Sequence, residues 1–130
     1  MAWQNAALAM AGIIGAGVAV VHGILVQRYM ARPFEELALA NRKVAGSTRW
    51  LVPLLLHFST VVWLLGGLAL VAAAYWFRPD ARLATSVFVG GCYLFGAIGN
   101  LWGTRGRHPG WVLLAAAVVL IVLGANKPDL

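Results

Sequence analysis

WLVPLLLHFSTVVWLLGGLALVAAAYWF, Trp50 to Phe77, runs between Arg49 and Arg78 without a single Asp, Glu, Lys or Arg. A run of this kind exceeds the roughly 20 apolar residues a helix needs to cross the hydrocarbon core of a bilayer. Working outward from it, the fourteen charged residues of the chain leave three further uncharged windows: Met1 to Gln27, Leu83 to Thr104 and His108 to Asn126. With 62% hydrophobic and only 11% charged residues, a soluble chain of this size would not remain in solution. Open strands would leave unpaired edges in lipid, so only helices suit the windows. The sequence therefore predicts an all-α membrane protein, a four-transmembrane-helix antiparallel bundle in one domain over residues 1–130, with helices at about 6–27, 51–77, 83–104 and 109–125.

Aromatic placement agrees, because Trp50, Trp76, Trp102 and Trp111 all fall at expected helix ends, where indoles favour the headgroup region. Trp63 alone sits mid-span. Orientation follows from the Lys and Arg bias of cytoplasmic loops. The loop after helix 1 holds Arg28, Arg32, Arg42, Lys43 and Arg49, and the loop after helix 3 holds Arg105 and Arg107, giving seven on one side. Arg78, Arg82 and Lys127 give three on the other. Loops 28–50 and 105–108 are thus expected in the cytoplasm and both termini outside it, in what reads as a bacterial inner membrane. No Lys or Arg precedes helix 1, so it does not read as a cleaved signal peptide.

The net charge of +6 is the positive-inside bias. It is not a nucleic-acid surface, since the loops are too short to display one. The single cysteine, Cys92, excludes an intramolecular disulfide and reads as a small packing residue in helix 3.

Within the first loop, RPFEELALANRKVAG (32–46) carries the punctuation of a short helix: Pro33 at its start, Glu35 and Glu36 in the first turn, Arg42 and Lys43 in the last, and Gly46 beyond. Phe34, Leu37, Asn41 and Val44 would share a face. The expectation is a short interfacial helix between helices 1 and 2, with partner docking as the sharper alternative.

Polar residues inside the spans carry what functional signal there is. At 1.5 Å per residue, His22 lies about 9 Å from Arg28, His57 about 12 Å from Arg49 and Asn100 about 8 Å from Arg105. All three are measured from the side expected to be cytoplasmic, so His22, His57 and Asn100 are expected to form one polar layer. His22 shares its side with Ala11, Gly12, Gly15 and Ala19, Asn100 with Tyr93, Gly96 and Gly103, and His57 with Thr60 and Gly67. Small residues at such spacings allow helices to approach closely, as do the pairs Gly12/Ala16, Ala11/Gly15 and Gly99/Gly103.

Three readings of the layer compete: structural hydrogen bonds between helices, axial ligation of a b-type haem by His22 and His57, and a proton or ion path through the histidines. The third lacks a charged coupling residue, because no Asp, Glu, Lys or Arg lies in an expected span.

LHFSTVVWLLGG, Leu56 to Gly67, resembles the Leu-His, Trp and Gly pattern on one helix of copper-resistance membrane proteins of the CopD type. The resemblance covers one helix in four. It carries over only His57 as a ligand, and the extra helices and further His and Met residues of that family are missing here. The stretch GNLWGTRGRHPGW, Gly99 to Trp111, reads as a tight basic hairpin. Its sharper reading is a lipid-headgroup or anion site made by Arg105, Arg107 and His108 with the start of helix 4.

No paired carboxylates, Ser-His-Asp set, phosphate loop or zinc spacing occurs, so no catalytic residue, enzyme activity or metal site is expected. The preferred function is an accessory or structural subunit packing against other membrane proteins. A homo-oligomeric channel or small-solute carrier comes next, and a haem-binding electron-transfer subunit third. The expected partners are the lipid bilayer and other membrane proteins or further copies of this chain.

Overall fold

A computed structural model describes residues 2–41 and 43–125. Among them all regular structure is helical: α1 (Ala2–Val26), a π-helical turn (Gln27–Ala31), α2 (Arg32–Ala40), α3 (Gly46–Tyr75), α4 (Pro79–Gly103) and α5 (Gly110–Ala125). Three helical runs, Ala2–Ala40, Gly46–Tyr75 and Pro79–Gly103, are long and apolar enough to cross a membrane, and α5 is a shorter apolar helix. The basic residues Arg42 and Lys127 lie outside the described residues.

α3 and α4 start ahead of their uncharged windows, because charge marks where lipid would end, whereas helices start and end at caps. α4 starts at Pro79, whose fixed φ suits a first turn, and Asp80 follows in that turn. Arg82, expected in a loop, is therefore part of the helix. α3 begins at Gly46, several residues before the expected start, and carries Pro53 in its interior.

The expected separate interfacial helix is corrected: α2 continues α1 in one helical run of 39 residues. Pro33 has no N–H and its ring crowds the carbonyl four residues earlier, so the ladder would be strained just upstream. The π-turn falls at that place, and the Arg32 N–H reaches back five residues to the Gln27 carbonyl. α2 stops at Ala40. Asn41 then adopts an extended backbone and takes the Lys43 N–H on its side-chain oxygen at 3.0 Å, a local turn that competes with the helix. Leu37 points outward at 71% exposure, while Ala38 is the buried residue of α2.

α1 packs along both α3 and α5, α4 packs on α5, and α3 touches α4 least, so the four long helices form a ring that is loosest between α3 and α4. Glycine sets the closest approach. A Cβ on Gly12 would strike the Gly67 carbonyl, and one on Gly67 would stand 2.9 Å from the Ala16 nitrogen, so α1 and α3 meet backbone to backbone. At Gly15 the space is filled by the hydroxyl of Tyr93, which is fully buried and donates to the Trp63 carbonyl at 3.0 Å. Tyr93 thereby touches α1 and α3 from α4. Leu8, Leu70 and Leu114 complete the centre.

Outside this core the surface is apolar. Phe58, Phe88 and Phe95 are mostly exposed, a surface that in water would aggregate and in lipid is satisfied. Trp50, Trp76 and Trp102 project outward near helix ends, as expected, whereas Trp63 is buried.

Candidate functional site

The two histidines expected in one layer sit on facing helices, yet each takes its own partner. His22 Nε2 on α1 shares a hydrogen bond of 3.0 Å with the Ser59 hydroxyl on α3. His57 Nε2 on α3 donates to Gln27 Oε1, in the π-turn, at 2.8 Å. These contacts are reciprocal, each helix supplying one imidazole to the other. His57 lines neither of the two hollows that His22 borders. Bis-imidazole haem ligation needs both rings turned to one iron, and in this arrangement they are turned to separate partners.

Asn100 joins His22 from another direction. Its amide nitrogen donates to the Gly96 carbonyl at 2.9 Å, one turn earlier on α4. Oδ1 is left without a partner among the described residues. The two residues border a hollow of about 320 Å³, together with His108, Trp63 and the apolar side chains Ile14 and Leu113. The His22 ring lies 4.6 Å from the Trp63 ring, centroid to centroid, which fixes both at the wall.

His108 reaches the hollow through a tightly built turn. α4 ends with the Gly106 N–H bonded to the Leu101 carbonyl at 2.8 Å and the Arg105 N–H to the Trp102 carbonyl at 3.2 Å, the paired bonds of a Schellman motif. Arg105 and Gly106 are both left-handed, at φ 50° and 75°. His108 Nδ1 then accepts the Gly110 N–H at 3.0 Å, so a neutral ring carries its proton on Nε2. Of the anion site expected from Arg105, Arg107 and His108, the arginines are exposed and His108 is half-buried at the hollow. The Gly110 amide, which such an anion would use, is already bonded to His108.

A second, larger hollow of about 890 Å³ lies between α3 and α4. Gly91, Gly99 and Gly103 line its α4 wall, and a Cβ on any of them would meet nothing within 4 Å. The small-residue pairs thus divide: Gly12/Ala16 and Ala11/Gly15 serve contacts inside the chain, whereas Gly99/Gly103 faces open space. His22, Trp63 and Asn100 border both hollows and form the wall between them.

At the opposite end of the bundle lies a group that charge counting placed in a loop. Arg82 is 1% exposed. Nε and Nη2 donate to the Gly124 carbonyl of α5 at 3.2 and 2.7 Å, and Nη1 donates to the Ala74 carbonyl of α3 at 3.1 Å and to Asn5 Oδ1 of α1 at 2.6 Å. Ala74 lies in the last turn of α3, where carbonyls lack helical partners and the helix dipole is negative. One guanidinium thus ties four helices together through four hydrogen bonds from a rigid planar fork.

Among the described residues, no group of three or more His, Cys, Asp and Glu side chains is placed to hold a metal ion. Comparison with protein-family models, curated proteins and solved structures finds no match to this chain. The residues missed by sequence reasoning, Ser59, Gln27, Trp63 and Arg82, act through contacts between helices whose relative rotation the sequence does not state.

Proposed function

We propose that this chain is a four-crossing integral membrane protein with both termini outside the cytoplasm, serving as an accessory or structural subunit that packs against another membrane protein. The cleft between α3 and α4 is the observation that carries the reading. It is apolar and glycine-lined on α4, and its rim holds Phe58, Phe88 and Phe95, all mostly exposed. Glycine faces let a transmembrane helix approach closely, and packing of this kind drives helix association in lipid. Elsewhere in the chain the same chemistry is already used, at Gly12 against Gly67.

A photoreactive residue at Phe95 in cells tests it. The expected product is a discrete heteromeric adduct that Gly99→Leu abolishes. Adducts only to lipid, or only at the mass of two copies of the chain, would overturn the accessory reading, the latter in favour of a homo-oligomer.

A further inference from the structure

The hollow shared by α1, α4 and the α4–α5 turn has the makings of a small-molecule site in its own right. Its volume, about 320 Å³, is at the small end for ligand pockets and suits a head of one or two rings. Trp63 offers a flat aromatic wall, and Ile14, Val18 and Leu113 offer aliphatic ones. Polar groups gather in one part of the wall. His108 has its Nδ1 committed to Gly110, leaving Nε2–H as a donor, while Asn100 has Oδ1 as an acceptor and a second N–H as a donor. Among the described residues, no Asp, Glu, Lys or Arg lines this hollow or the adjoining cleft, so the complementary ligand is uncharged.

Access is from the side. Ile13 and Val21 on α1 and Leu113 on α5 also line the hollow and remain about half exposed, at 60%, 53% and 47%, on a face that lies in lipid under the proposed topology. A molecule arriving there is lipid-soluble. We infer that the hollow binds an uncharged, lipid-soluble molecule with an oxygen-bearing ring as its head, of the quinone or quinol class, the ring against Trp63 and its oxygens bonded to Asn100 and His108. This is a binding assignment and includes no redox step.

Gly17 gives the test a handle, because it lines the hollow and a Cβ there meets nothing within 4 Å, so Gly17→Leu starts from open space and directs its bulk at the site. The purified chain in nanodiscs of phosphatidylcholine is titrated with a decyl-tailed benzoquinone, reading tryptophan quenching and thermal stability together. Saturable quenching that Trp63→Phe removes is expected, with a rise in Tm, an affinity at least tenfold weaker in Gly17→Leu, and a smaller loss in Asn100→Leu. Circular dichroism confirms that each variant is folded. Should Gly17→Leu fail to fold, Leu113→Phe narrows the same mouth from a half-exposed position. Quenching that is linear in quinone, or equal in all variants, means partition into lipid and overturns the inference. Equal displacement of the quinone by dodecanol overturns the ring assignment.

Discussion

Arg82 is the residue with most to lose. Its guanidinium is removed from solvent, and every donor group is committed to an oxygen on another element or at the end of α3. Replacing it with Met leaves the Ala74 and Gly124 carbonyls and Asn5 short of partners in an apolar setting, at about 1–3 kcal/mol for each group left unsatisfied. Arg82→Met is therefore expected to lower the thermal midpoint in detergent by many degrees, with Arg82→Lys falling between the two. A midpoint equal to that of the unsubstituted chain would show that the clamp is dispensable. At the other end, a double-mutant cycle on His57→Ala and Gln27→Ala is expected to give a coupling of about 0.6 kcal/mol, the average for hydrogen bonds between membrane helices, and no more than about 1.7 kcal/mol. Helical rise alone singled out His22, His57 and Asn100, of which His22 and Asn100 border the same two hollows. Their partners were not legible, because depth says nothing of how each helix is turned about its axis. Arg82 was hidden for another reason: a charge at the edge of an apolar window reads as a loop residue until Pro79 is seen to start the helix ahead of it.

Among the elements, α1 packs most extensively, against α3 and α5, and its contact with α3 is set by glycine. Gly12→Leu is expected to separate the two helices and abolish a cooperative unfolding transition, since backbone atoms stand where the side chain would go. Gly91→Ala is expected to leave the transition within about 0.5 kcal/mol, because nothing lies against that position. Thermal unfolding of the two variants side by side checks the contrast. Windows of uncharged residues located the helices well but misplaced their ends and divided α1 from α2. Pro33 was read as a start signal. In the folded chain the helical run passes through it, the ladder being adjusted over Gln27–Ala31. Pro33→Ala restores a backbone donor and is expected to convert the π-turn to α-helix, rotating α2 about its axis by roughly one residue, about 100°. Spin-label distances from α2 to α3 would report the rotation.

For the whole molecule, the ring of helices is closed by α1 and α5 and slack between α3 and α4, and its polar groups are divided between the ends. One end holds the imidazoles, Asn100 and the α4–α5 turn; the other holds the Arg82 clamp. The accessory role and the ligand site proposed above both require the exposed phenylalanines and the α1–α5 mouth to lie within the depth of the bilayer, and so depend on four crossings. Composition made the helical class legible, while the slack side was beyond it, since the sequence does not state which helices become neighbours. Cysteine accessibility in intact cells tests the crossings most directly. In a Cys92→Ser background, single cysteines replace Ser47, Arg78 and Arg107, a reporter tag is fused after Leu130, and an impermeant maleimide is applied from outside. Labelling at position 78 and a tag exposed outside, with 47 and 107 protected until the cells are opened, is the predicted result. A cytoplasmic tag with 107 still protected would mean that α5 does not cross, and would contradict the four-span bundle.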